Sequence, residues 1–215
     1  DFVRTFFMMM NFYSLEKSME IARERQTTFA DFEKSEYAKG TYFDRYLEID
    51  YRPATTRASD LFGDMYIPTP ADWQNLKADV MKHGLYHAYR LAIAPTASIS
   101  YIQNATSSVM PIVEQIETRT YANSTTYYPM PYMQQDNYFY YKSAYQMNQF
   151  KVLDLIAEIQ NHVDQGISTV LHVGSDVTTR QLARYYLYAA QKGLKSLYYT
   201  RTKLLSVEEC ITCSV

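Results

Sequence analysis

Ile167-Ser-Thr-Val-Leu-His-Val173, then Thr178-Thr-Arg-Gln181 opening a run through Leu182, Tyr185, Tyr186 and Ala189 to Gly193, then Leu194-Lys-Ser-Leu-Tyr-Tyr-Thr-Arg-Thr-Lys203: this stretch decides the fold. The first and last segments are β-rich. The middle one has helical spacing, a hydroxyl followed three residues later by glutamine at its start, and glycine at its end. Strand–helix–strand of this length predicts a parallel crossover and hence an α/β fold. α/β folds keep their sites at one end of the strands, so Tyr198 and Tyr199 are expected near such a mouth.

Upstream, Val152, Leu155, Ile156, Ile159 and Val163 lie at helical spacing and stop near Gly166. Thr69-Pro70-Ala-Asp72 is a strong helix start, with an N-cap hydroxyl, proline at the first helical position and an acid in the first turn. That helix carries Trp73, Leu76 and Val80 and ends at Gly84. Ser14 is expected to cap a helix to about Gln26, and Thr28 with Asp31 a second helix stopped by Gly40. Tyr42 to Leu47 reads as a third helical turn, Arg52 to Arg57 as a loop. The opening Asp1-Phe-Val-Arg-Thr-Phe-Phe-Met-Met-Met reads as a strand or core segment. Too short and wrongly flanked for a signal peptide, and apolar without a polar lead-in, it is expected to belong to a piece of something longer. Tyr89 to Ala94 reads as a short strand. Residues 101–147, broken by Pro111, Pro129 and Pro131, give no clear element.

The composition excludes several classes. With 215 residues, 47% hydrophobic and 20% charged, the chain is an ordinary globular one with material for a core. A net charge of −2 makes no case for nucleic acid or an anionic membrane, and no run of eighteen apolar residues exists. Twenty-two tyrosines are an excess that favours no particular function. The two cysteines, Cys210-Ile-Thr-Cys213, point to a reducing compartment and a redox pair, because a structural zinc site needs four ligands. Almost at the end of the chain, the pair reads as a tethered thiol shuttle; two incidental thiols are the bland alternative.

Other groups are ambiguous on the residues alone. Pro95-Thr-Ala-Ser-Ile-Ser100 is either an anion cradle or an ordinary polar turn, on equal footing. In an ideal strand Tyr198 and Tyr199 point to opposite faces, which favours one in the core and one at the surface. His83, His87, His162 and His172 show no metal-ligand spacing beyond the pair His83/His87, which Gly84 interrupts. Glu114 and Glu117 read as surface or hydrogen-bonding groups. No metal site is expected.

Read together, Ala92-Ile-Ala-Pro-Thr-Ala-Ser-Ile-Ser-Tyr-Ile102, Asp164-Gln-Gly-Ile-Ser168, Thr178-Thr-Arg180, Lys195-Ser-Leu-Tyr-Tyr-Thr-Arg201 and the terminal C-x-x-C closely resemble one family. It is the C-terminal part of the large (α, catalytic) subunit of class I ribonucleotide reductase, of the bacterial class Ib type. The resemblance covers essentially the whole chain. It implies the C-terminal part of a ten-stranded α/β barrel over residues 1–203, followed by a flexible redox-active tail over 204–215. It implies that Pro95, Thr96, Ala97, Ser98 and Ile99 cradle the phosphates of a ribonucleoside diphosphate. Tyr198 and Tyr199 match the stacked pair that carries an oxidising equivalent from the small (β) subunit. Cys210 and Cys213 match the thiols that re-reduce the active site and are themselves reduced by thioredoxin or a glutaredoxin-like redoxin.

The family's radical-bearing cysteine, its neighbouring asparagine and glutamate, and the internal cysteine pair have no counterpart here. Neither has the region that binds allosteric nucleotide effectors. The dimetal–tyrosyl radical cofactor belongs to the family's small subunit, so no cofactor is expected on this chain. The resemblance thus implies a cytoplasmic reductase piece that needs an N-terminal partner. A non-catalytic module that binds the small subunit or a redoxin is the alternative, and a free-standing thiol–disulfide oxidoreductase a third.

Overall fold

The computed structural model describes residues 1–122 and 124–203. They form two compact units. The first comprises Asp1–Ile93 with Ala157–Gly166, the second Ala94–Ile156 with the described residues from Ile167 onward.

The first unit is helical. α1 runs Phe2–Arg25, where a strand or core segment followed by a helix from Ser14 was expected. The Phe/Met cluster hides its periodicity, but Met8, Phe12, Leu15, Met19 and Ala22 fall three or four apart and are all buried. Ser14 lies inside the helix, its hydroxyl donating to the Asn11 carbonyl at 2.9 Å. The Thr28 cap does not form. After a 3-10 turn at Phe32–Lys34, the Ser35 hydroxyl caps α2 (Glu36–Lys39), which Gly40 closes in the left-handed conformation. A 3-10 turn at Thr41–Phe43 leads into α3 (Asp44–Glu48), and the end of the Arg52–Arg57 loop is taken into α4 (Thr56–Asp60).

α5 (Pro70–His83) starts as expected: the Thr69 hydroxyl accepts from the Asp72 amide, and the Asp72 carboxylate accepts from the Thr69 amide at 2.8 Å. Gly84 follows at φ +77°, where an added Cβ would lie 2.2 Å from Thr28 Cγ2. In the core the Trp73 indole stacks on the Tyr46 ring at 3.8 Å and 6°, with Phe12 edge-on. The predicted strand at Tyr89–Ala94 is absent except for a single bridge residue, Ile93. The Asp164 carboxylate takes the Arg90 and Leu91 amides, at 2.6 and 3.0 Å, that a ladder would need. It also binds the Arg90 guanidinium at 2.8 Å, with both side chains buried.

In the second unit α6 (Ala97–Ile102) occupies the expected polar turn. The uninterpreted region that follows contains an antiparallel hairpin, β1 (Ile116–Tyr121) with β2 (Ser124–Pro129), pairing Glu117 with Tyr128 and Arg119 with Thr126. Then come α7 (Gln149–Gln160, its last turn counted in the first unit), β3 (Val170–Gly174), α8 (Thr179–Gln191) and β4 (Tyr199–Lys203). β3 and β4 pair in parallel, as the crossover predicts. α8 is capped by Thr178, whose hydroxyl accepts from the Gln181 amide at 3.2 Å. The Gln181 side chain turns instead to the Tyr185 hydroxyl, so only half the capping box is made. Leu171 and Val173 on one face of β3 pack with Leu153, Tyr185 and Ala189. The fold class is α/β, and among the described residues the four strands form two two-stranded sheets, so these residues do not close a barrel.

Candidate active site

Strand periodicity builds the site. Leu171 and Val173 face the α8 core, so Val170 and His172 face the other way, and Ser168 continues that row. In the parallel register Val170 lies opposite Tyr199 and His172 opposite Arg201, which puts Tyr199 and Arg201 on the same face. These residues line a cavity of about 390 Å³ within the second unit, a volume in the range of small-molecule sites. Pro95, Tyr101, Ser108, Glu117 and Arg119 contribute from the α6 region and the hairpin.

Tyr198 lines the same cavity. One core and one surface tyrosine was the reading the residues favoured; instead both are about half exposed, at 51% and 52%. Their ring centroids are 4.0 Å apart with planes inclined at 51°. Regular strand geometry starts only at Tyr199. Both Tyr198 and Tyr199 amides donate to the Thr169 carbonyl, at 2.8 and 3.4 Å, and this bifurcation breaks the alternation that would have sent the rings apart. The hydrogen bond with Tyr199 raises the pKa of the Tyr198 phenol. The pair stands at the amino end of β4, not at the carboxyl end that the α/β rule favours, because residues 194–198 form the connection from α8 and not strand.

On the hairpin side, the Tyr101 hydroxyl donates to Glu117 and accepts from Arg119, and the Arg119 guanidinium lies 3.8 Å over the Tyr101 ring. Burial, then the Glu117 carboxylate, pushes the Tyr101 pKa up to about 12, so it is a fixed neutral hydroxyl. Glu117 is the hydrogen-bonding group expected, although its place in the cavity was not foreseen. His172 is buried, edge-on to Tyr145 at 5.2 Å, and its Nδ1 has no partner of hydrogen-bond geometry among the described residues. Burial, then the Arg201 charge, lowers its pKa against a smaller pull from the Val170 backbone. The cavity face thus carries two phenols in contact, a neutral imidazole and two guanidiniums.

The remaining predicted residues fall as follows. Pro95 lines the cavity, and the Thr96 hydroxyl accepts from the Ser108 amide at 3.0 Å, tying this loop to the cavity wall. Ala97 and Ser98 begin α6, and Ile99 is exposed. Cys210 and Cys213 lie outside the described residues. Sequence reasoning missed Tyr101, Arg119, His172 and Arg201 as site residues. The signal for the last two was available in the alternation Ser168/Val170/His172 and Tyr199/Arg201. His83 ends α5, and His87 binds the Ser18 hydroxyl at 3.2 Å through Nδ1. Among the described residues no cluster of three or more metal-ligating side chains occurs, and no helix is long and apolar enough to cross a membrane.

Residues 1–200 match a family model described as ribonucleotide reductase, barrel domain. Over 215 residues the chain is 57% identical to the ribonucleoside-diphosphate reductase NrdEB subunit alpha of Bacillus subtilis, covering all of this chain and 20% of that protein. It is 54% identical to a second ribonucleoside-diphosphate reductase subunit alpha of the same organism, covering 31% of it. The corresponding subunit of Mycoplasma pneumoniae is 36% identical over 97% of this chain and 30% of that protein. The chain therefore spans between a fifth and a third of the length of these curated relatives.

Proposed function

The chain belongs to the ribonucleotide reductase barrel-domain family, and on that premise we propose that it is the C-terminal portion of a ribonucleoside-diphosphate reductase catalytic subunit. Completed by an N-terminal part, it serves reduction of ribonucleoside to deoxyribonucleoside diphosphates in the cytoplasm. Residues 1–203 complete the barrel, and 204–215 are its redox tail. The observation that carries this reading is the Tyr198–Tyr199 ring contact in the wall of a cavity that also takes in Pro95.

Tyr198 and Tyr199 pass an oxidising equivalent arriving from the small subunit. At each step the oxidised group takes an electron and a proton from the next phenol and is restored, while that phenol becomes a neutral radical in its turn, so no charge has to be carried along the pair. A 4.0 Å ring separation supports such a step, since it needs no side-chain movement. The segment Pro95, Thr96, Ala97, Ser98 and Ile99 holds the substrate's phosphates, a role supported by the Thr96–Ser108 clamp that draws the loop to the cavity. Cys210 and Cys213 return electron pairs to the active site between turnovers. Their disulfide is then reduced by thiol exchange with thioredoxin or a glutaredoxin-like redoxin. The dimetal–tyrosyl radical cofactor is supplied by the small subunit, and nucleotide effectors act on the N-terminal part.

The test is reconstitution with that N-terminal part, the small subunit and a redoxin. Tyr198→Phe or Tyr199→Phe should abolish deoxynucleotide formation while substrate still binds. Cys210→Ser with Cys213→Ser should allow early turnovers and then stop. Full multiple turnover in both tyrosine variants would refute the radical role. Association of the parts without any turnover would leave only a binding module.

A further inference from the structure

We propose that Trp73, Tyr46 and His162 form a redox site in the helical unit, where Tyr46 repairs an oxidised Trp73 and passes its phenol proton to His162 Nδ1. The site stands or falls independently of the function proposed above.

Electron transfer comes first. Trp73 is the one tryptophan of the chain and is 2% exposed. Among the described residues three aromatic rings meet it: Phe12 at 5.0 Å, Phe43 at 6.3 Å and Tyr46 at 3.8 Å. A phenyl ring holds its electrons too tightly to reduce an oxidised indole, whereas a phenol that can shed its proton does so. Tyr46 is therefore the redox partner of Trp73. The two rings lie face to face at 6°, so an electron crosses without any side chain moving.

The proton comes second. A phenol yields an electron readily when its proton leaves as well, and Tyr46, fully buried, cannot release it to solvent. Its hydroxyl oxygen accepts from Asn11 Nδ2 at 2.8 Å, so its own hydrogen points elsewhere. The acceptors within reach are His162 Nδ1 at 3.1 Å and the Asn161 carbonyl at 3.4 Å. Of these the imidazole is the base. Accepting at Nδ1, it carries its own hydrogen on Nε2. Burial, then Arg45 and Arg4, keep it neutral, which leaves that lone pair open at neutral pH.

The Trp73 radical cation, formed by any one-electron oxidant strong enough to oxidise indole, takes one electron from Tyr46 and returns to indole. Tyr46 loses that electron and its proton and becomes a neutral phenoxyl radical, and His162 becomes an imidazolium. The Arg45 guanidinium, 5.6 Å from the Tyr46 ring, disfavours a cation on that ring and so ties electron loss to proton loss. An oxidised phenol is a far stronger acid than an imidazolium, so the proton moves to His162 although Arg45 and Arg4 disfavour charge there. The same charges return the proton once a one-electron reductant, such as a thiolate, restores Tyr46.

Laser flash photolysis of the full chain tests this. A pulse at the red edge of indole absorption, where phenols do not absorb, ejects an electron from Trp73, and a soluble scavenger removes it. In the parent the indole radical should decay as a phenoxyl radical rises at the same rate. Tyr46→Phe keeps the stack without the hydroxyl, and His162→Phe fills the imidazole's space without the base. Each should lengthen the indole radical's lifetime at least about tenfold, the loss expected when a positioned proton donor or acceptor is removed. Tyr51→Phe, which leaves the Tyr46–His162 contact in place, should match the parent. Near-UV circular dichroism of each variant checks the aromatic packing. Indole decay without phenoxyl growth in the parent overturns the proposal, whatever the variants do. So does an unchanged indole lifetime in Tyr46→Phe or in His162→Phe, which is what a purely structural role of these rings would give.

Discussion

Acidification should destabilise the first unit through one imidazole. His162 is 1% exposed; its Nδ1 meets the Tyr46 hydroxyl at 3.1 Å, its edge meets Tyr51 at 4.9 Å, and its Nε2 has no partner among the described residues. Burial, then the charges of Arg45 and Arg4, lowers its pKa from 6.5 to about 3. The folded value is depressed, so the stabilisation is complete above pH 6.5 and is lost progressively as the pH falls from 6.5 toward 3. Between pH 7 and pH 5 the unfolded chain takes up nearly one proton that the folded chain refuses, a loss of about 2 kcal/mol. Trp73 is the sole tryptophan and stacks on the same Tyr46, so its fluorescence reports this unit. Urea denaturation followed at Trp73 should show that loss in the parent, and a markedly smaller one in His162→Phe. The phenylalanine fills the ring's space, and Tyr46 keeps its contact with the Asn161 carbonyl. The carboxylates, Glu16 with its raised pKa included, are common to the two proteins, so the difference between them isolates His162. Equal losses in the two proteins would refute the argument.

Gly84→Ala should cost about 1–3 kcal/mol in the same urea assay, because it combines a positive φ with a clash at Thr28. Asp164→Asn should cost about 3–5 kcal/mol, since it strands the buried Arg90 guanidinium; Arg90→Met with Asp164→Leu should recover part of that loss. Thr69→Ala removes the hydroxyl half of the α5 capping box and should lower stability by about 1 kcal/mol, again read at Trp73. In unit two, spectrophotometric titration should show Tyr101 ionising near pH 12 in the parent and nearer its ordinary value in Glu117→Gln, since the carboxylate raises the pKa and Arg119 lowers it.

Local signals made much of this chain legible. Thr69, Pro70, Asp72 and Gly84 delimit α5 through cap and conformational preferences that need no tertiary context. The β3–α8–β4 crossover was readable from a change of period between two β-rich runs. The start of α1 was not, because five consecutive apolar residues, Phe6 to Met10, satisfy helix and strand periods alike. Polar residues masked the hairpin: Thr118, Thr120, Thr125 and Thr126 alternate with little that is apolar. Tyr89–Ala94 has strand composition, but its amides are claimed by Asp164, more than seventy residues away. The cavity shares that difficulty. Its wall joins segments near residues 95, 101–119, 168–172 and 198–201, and nothing local announces their meeting. The tyrosine pair shows the limit most sharply. Two residues that alternate in an ideal strand come together because the strand begins between them.

The Arg90–Asp164 clamp also sets a timetable. Arg90 emerges from the ribosome 74 residues ahead of the carboxylate that neutralises it. At about 5–20 residues per second, that interval lasts roughly 4–15 s. During it the first 93 residues, which supply most of their unit, offer the Arg90 guanidinium Ser14, Tyr37 and Asn11 as hydrogen-bond partners but not the carboxylate that neutralises it. The helical unit therefore is not complete when residues 1–93 have been made. It waits for the stretch 157–166 to be delivered after part of the other unit, which ties the birth of one unit to that of the other.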